Sequence, residues 1–225
     1  MRFILSGLIL GVVLFTAAYL QQAGMVYTSA GKAGFITGLY VILVPVIGYF
    51  LGQKITKRLI TGALLTLAGL FLLMVRFPIG ISRGDLLVLI SSFFWATHVQ
   101  MVNYLAKKYP PLHLSAFQFA VCSLISLLFA FGTEKVQLAG IIQAAVPLLY
   151  GGILSVGVAY TLQVVVQRHV NPGIAAIILS FETVFAVVGG WLILGESFSL
   201  QNIAGCILMF LGILIVQASP ERAKS

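Results

Sequence analysis

Residues 27–73 and 169–216 are two versions of one segment, and this duplication restricts the fold more than any single residue does. Gly52, Gly62 and Gly69 return as Gly195, Gly205 and Gly212 at a constant offset of 143, with Thr56 matched by Ser199 and Gln53 by Glu196. Upstream, Gly11, Ala18, Tyr19 and Gln22 return as Gly152, Ala159, Tyr160 and Gln163 at an offset of 141. The repeated unit therefore spans three apolar segments, with a small insertion between them.

Lipid is the solvent of that unit. With 60% hydrophobic and 8% charged residues and a mean hydropathy of +1.11, the chain lacks the polar surface to coat a water-soluble globule. Eight stretches, near 3–26, 33–52, 58–75, 84–106, 113–132, 140–166, 173–194 and 199–217, are long enough to cross a hydrocarbon core of about 30 Å as helices. The expected fold is an all-α polytopic membrane protein of about eight transmembrane helices. Helices one to three, over residues 1–75, match helices six to eight within 84–217; residues 218–225 read as a cytoplasmic tail. Helices four and five have no earlier counterpart, so the parent architecture has ten helices in two five-helix repeats, and two are expected to be missing before Met1. Helix one and its partner helix six cross in opposite senses, which makes the repeats inverted. Inverted repeats in a bilayer are the build of secondary transporters.

The net charge of +8 does not indicate nucleic acid, because the basic residues stand in small groups between apolar segments. Arg2, Lys54, Lys57, Arg58, Lys107, Lys108, Arg168, Arg222 and Lys224 fall on one side, and Lys32, Arg76, Arg83 and Lys135 on the other. The positive-inside rule then puts both termini in the cytoplasm; the membrane expected for such a transporter is the inner one. The N-terminal apolar run is not read as a signal peptide, since the same unit returns at 149–166. Cys122 and Cys206 fall inside predicted helices as apolar fillers, with no metal or cofactor site indicated.

Local punctuation is legible. Asn171 and Pro172 read as an N-cap and a first helical position, and Ser199 and Thr56 as caps. Pro45 predicts a kink or local break in helix two. The pairs Gly7/Gly11, Gly34/Gly38 and Gly48/Gly52 are at helix-contact spacing.

Glu182 is the acid placed inside a predicted span, roughly 13 Å along helix seven at 1.5 Å per residue. It reads either as a proton- or cation-linked group or as a hydrogen-bonded bridge between helices. His98, on helix four with Trp95 and Val102 and beside a stripe of Gln100 and Asn103, is either a proton relay or a neutral structural histidine. Tyr19 with Gln22, and Tyr160 with Gln163, are repeat-related polar pairs that suit the lining of a cavity or interhelical hydrogen bonding. Gln167, Gln118, Thr37 and Tyr40 are secondary candidates. Zinc-protease, serine-elbow and nucleotide-loop motifs are missing from the sequence, so no catalytic residues are assigned and the expected partner is a small-molecule solute within the lipid bilayer, with protons and a homodimer compatible.

The chain resembles the EamA-type permeases of the drug/metabolite transporter superfamily. The resemblance rests on Tyr27-Thr28-Ser29-Ala30-Gly31-Lys32-Ala33-Gly34-Phe35, on Gly84-Asp85-Leu86-Leu87 leading to Trp95-Ala96, and on Ser180-Phe181-Glu182-Thr183-Val184-Phe185-Ala186 through Leu194-Gly195-Glu196. It implies two inverted five-helix repeats, cytoplasmic termini and movement of small metabolites, often amino acids or derivatives, commonly by export. The family pattern has proline after the helix-seven glutamate, where this chain has Thr183, which leaves a helix break there in question. The alternative to a permease is a truncated, non-transporting membrane fragment or scaffold that retains the fold.

Overall fold

The computed structural model describes residues 1–74, 82–133, 137–195 and 199–218. Each regular element among them is helical: α1 (Arg2–Met25), α2 (Ala30–Gly38), α3 (Tyr40–Phe50), α4 (Lys57–Met74), α5 (Arg83–Ala106), α6 (Pro111–Thr133), α7 (Leu138–Gln143), α8 (Ala145–Leu149), a π-helical stretch (Tyr150–Tyr160), α9 (Thr161–Gln167), α10 (Pro172–Leu179), α11 (Glu182–Leu194) and α12 (Leu200–Gln217). Seven stretches among the described residues are long and apolar enough to cross a membrane. With α4, 18 residues long, they make the all-α polytopic protein expected from the sequence. Arg76, Lys135, Arg222, Lys224, Glu134, Glu196, Glu221 and the tail beyond residue 218 lie outside the described residues.

The cap signals act where the sequence puts them: Asn171 and Ser199 accept the backbone N–H of Gly173 and Asn202 at the starts of α10 and α12, and Thr56 accepts that of Leu59 at the start of α4. Ser29, not singled out from the sequence, caps α2 by accepting the N–H of Lys32. The span over 140–166 departs from the single helix expected. Pro147 offers no N–H to the carbonyl of Gln143, and the helix is interrupted at Ala144. Gly151, Gly152 and Gly157 then fall within the wider π-helical stretch, which lacks the regular α-helical register.

The helices form two compact units, one of residues Met1–Thr16 with Met101–Val170, the other of Ala17–Gln100 with Asn171–Ser225. In the first, Leu10, Val102, Leu105, Ala106, Leu114 and Val164 make the core. Gly7 and Gly11 lie against α6, where an added Cβ would meet Phe117 at 2.4 Å and Val121 at 2.6 Å, so this glycine pair serves packing. Asn103 Nδ2 donates to the carbonyls of Gln167 and Val170 at 2.6 and 2.7 Å. It thereby satisfies orphan acceptors at the end of α9.

In the second unit, α4 and α12 run antiparallel along the repeated glycines. A Cβ on Gly62 would sit 2.8 Å from the Gly212 carbonyl oxygen, and one on Gly212 2.8 Å from that of Gly62; for Gly69 and Gly205 the reciprocal distances are 2.6 and 2.9 Å. The two backbones touch because neither helix carries a side chain at the crossing. Beside this seam, Tyr40, Val41 and Val44 of α3 pack with Ala96 and Val99 of α5 and Ala176 and Ile177 of α10. Gly52 and Gly195, another repeat pair, carry the positive φ angles among the described residues, 78° and 68°. Each ends the helix before it, a left-handed position that favours glycine.

Candidate functional site

Two spans of the second unit are interrupted at mid-length. The first breaks at Leu39, between α2 and α3; the second breaks at Ser180 and Phe181, between α10 and α11. At the repeat offset of 143, Leu39 corresponds to Glu182, so the two repeats are broken within two residues of equivalent positions. The first break lies upstream of Pro45, which stays inside α3. A proline crowds the carbonyl four residues earlier, here Val41, and so disturbs the turn before itself. In the second repeat no proline is needed. The Ser180 hydroxyl donates to the Ile177 carbonyl at 2.7 Å, and the backbone tightens into three-residue closures from Phe181 N–H to Ile178 O and from Thr183 N–H to Ser180 O, both 3.1 Å. A serine side chain that bonds back to the backbone competes with the α-helical ladder. The interruption therefore forms with Thr183 in the position of the family proline.

Glu182 is the first residue of α11, directly after this break, and its side chain is exposed. A carboxylate at a helix N-terminus is favoured by the macrodipole. Near the two breaks lie Thr37, Tyr40 and Ser180, all buried. His98 is buried on α5, 3% exposed, with its ring edge-on to Trp95 at a centroid distance of 6.0 Å.

The other predicted residues lie elsewhere. On α1, Leu10, Leu14, Ala17 and Gly24 mark the buried face. Tyr19 and Gln22 are exposed on the remaining surface, whereas half-buried Gln21 accepts the indole N–H of Trp95 at 2.8 Å. Tyr160 and Gln163 belong to the other unit and are half-buried. Of the secondary candidates, Gln118 and Gln167 are buried there too.

Two polar nodes were not singled out by pattern. In one, Gln100 Nε2 donates to the Val44 carbonyl and Gln53 Nε2 to Gln100 Oε1, each at 2.7 Å. Gly48 makes room for them: a Cβ there would stand 2.5 Å from Gln53 Oε1. In the other, buried Asp85 accepts Thr28 Oγ1–H at 2.7 Å, the Ser82 N–H at 2.6 Å and Lys32 Nζ at 2.5 Å. The Asp85 N–H donates in turn to Ser82 Oγ at 3.1 Å, which completes a capping box at the start of α5. Thr28 and Lys32 come from one family motif and Asp85 from another, so the two motifs form one ionic junction. Ser82-x-x-Asp85 signals the capping box alone, whereas the tie to Thr28 and Lys32 has no local signal.

The model of the EamA-like transporter family matches residues 2–75 and 82–217. This chain belongs to that family. An uncharacterized transporter of Archaeoglobus fulgidus is 30% identical over 213 residues, covering 94% of this chain and 68% of the relative. The EamA chain is also 27% identical over 207 residues to the uncharacterized transporter YoaV of Bacillus subtilis, covering 89% and 71%. A protein crystal structure, 19% identical, superposes with a TM-score of 0.77 over 99% of this chain and 89% of its own, and that likeness speaks to the fold alone. As a multi-pass EamA protein, the chain is a membrane transporter of the drug/metabolite type.

Proposed function

We propose that this EamA protein is an inner-membrane permease, both termini cytoplasmic, that moves a small organic solute, an amino acid or derivative among the candidates, by alternating access between its inverted repeats. The observation that supports the reading is the pair of mid-span helix breaks at Leu39 and at Ser180–Phe181, within two residues of repeat-equivalent positions. In transporters, half-helix ends at the bilayer midplane supply unpaired backbone groups and oriented dipoles to substrate and coupling ion. Glu182 stands at one such end. A carboxylate meeting lipid at mid-span costs about 3 kcal/mol on insertion scales, so we assign its exposed side chain to a wet cavity, as the ion-linked or substrate-contacting group. His98 is the second titratable group of this unit that we assign to the path. Tyr19 and Gln22, with their repeat counterparts Tyr160 and Gln163, are further polar contacts on grounds of repeat equivalence.

Uptake by proteoliposomes of the purified chain, screened over amino acids and related metabolites at imposed pH gradients, tests the reading. Glu182→Gln is expected to remove the pH dependence of flux while leaving the yield of folded protein unchanged. Unaltered pH dependence would reject a coupling role for Glu182, and a wild type that moves none of the solutes would favour the scaffold alternative.

A further inference from the structure

Away from the helix breaks, the second unit contains a cavity of about 370 Å³ lined by Thr56, Lys57, Arg58, Leu59, Asn171, Ile174 and Val216. Its lining is segregated by polarity. Leu59 and Val216, both buried, and half-buried Ile174 form an apolar floor, while Thr56, Lys57 and Arg58 are exposed at the rim. Among the described residues no carboxylate lies within ion-pair distance of Lys57 or Arg58. Two cations over an apolar floor, with no counter-charge among the described residues, form an unbalanced arrangement. Topogenic lysines and arginines need no cavity, since loop charge alone sets orientation.

The rim sits where α4 and α10 both begin, after Thr56 and Asn171. The first residues of two membrane-spanning segments lie at headgroup depth, so a ligand here reaches the cavity along the bilayer surface. We propose that the cavity holds the headgroup of an anionic phospholipid. Lys57 and Arg58 would take the phosphodiester, and Leu59, Ile174 and Val216 the glycerol backbone and the first acyl carbons. Basic pockets between transmembrane helices recognise such headgroups by this combination of charge and apolar contact. A freely soluble anion would gain nothing from the apolar floor. The assignment is independent of the solute the permease moves.

Native mass spectrometry of the full-length chain in a neutral detergent, titrated with dioctanoyl phosphatidylglycerol, tests it. One saturable adduct is expected, with dioctanoyl phosphatidylcholine at least about tenfold weaker, as befits a site selecting net negative charge. The double substitution Lys57→Gln with Arg58→Gln is expected to weaken phosphatidylglycerol binding roughly thirtyfold, the loss of two surface cations. Lys54→Gln removes the same kind of charge from the preceding loop, outside the cavity, and is expected to change binding less than about twofold at physiological salt. Equal affinity for the two lipids, or equal loss in Lys54→Gln, would overturn the proposal. So would displacement of the adduct by glycerol 3-phosphate at matching concentration, which would identify a soluble-anion site. Should the double variant fail to fold, the headgroup comparison and this competition on the wild type decide the matter by themselves.

Discussion

Asp85 is one of only five acids in the chain, and it holds three segments together: the loop after α1 through Thr28, the start of α2 through Lys32, and the first turn of α5 through Ser82. Asp85→Ala removes half of the capping box together with the ion pair to Lys32, so a loss of about 2–3 kcal/mol of stability is expected. Lys32→Gln leaves the carboxylate with its two other donors and is expected to cost about 1–2 kcal/mol. Thermal unfolding in detergent ranks the pair, and equal losses would show that the ion pair, not the cap, dominates. At this scale the sequence was legible where chemistry is local. Ser199, Asn171 and Thr56 cap as their residue types require. Gln21 was missed in favour of Gln22 because an inward face depends on what packs against it, and one residue turns a side chain by about 100°. The junction at Asp85 joins residues 53 positions apart, a separation that no periodicity reports.

Among the helices, the α4–α12 seam makes the sharpest demand on its residues. Gly69→Ala would drive a Cβ to 2.5 Å from Met209 Cγ and 2.6 Å from the Gly205 carbonyl. Backbone cannot give way as a side chain tip can, and a loss of about 2–3 kcal/mol is expected. Gly132, near the end of α6, has no atom of another described element within 4 Å of its ideal Cβ position, so Gly132→Ala is expected to be neutral or to add about 0.5–1 kcal/mol through helix propensity. Chemical unfolding of the two variants side by side separates packing from propensity, and a shared sign would contradict the seam. The repeated glycines were readable as a duplication, but a fixed offset marks equivalent positions and does not say that the two strips face each other, as they do here. The helix breaks were readable only in part. Pro45 announced one, displaced by a turn and a half, whereas the break at Ser180 arises from a hydroxyl-to-carbonyl bond and has no proline to mark it.

For the whole molecule the first consequence is topology. Val26 follows α1 and Lys54 follows α3, with one interrupted span between them. In a chain whose Cys122 and Cys206 are replaced by alanine, a membrane-impermeant maleimide is expected to label Lys54→Cys from the cytoplasmic side and Val26→Cys from the opposite side. Labelling of both from one side would show that α2 and α3 do not cross. The all-α fold and the multi-pass pattern were legible because bilayer thickness governs the length and apolarity of the spans, seven such stretches and α4 standing where eight were expected. Which polar residues share a cavity was not, since that depends on rotations of each helix that lipid-facing leucines leave undetermined. The glycine seam also has a consequence for biosynthesis. Its two strips, around Gly62 and Gly205, leave the ribosome 143 residues apart. The bare face of α4 must therefore wait in the bilayer, its backbone covered only by lipid or a chaperone, until α12 is delivered. Premature termination before α12 would leave that face open, and such a nascent chain would be a natural substrate for membrane quality control.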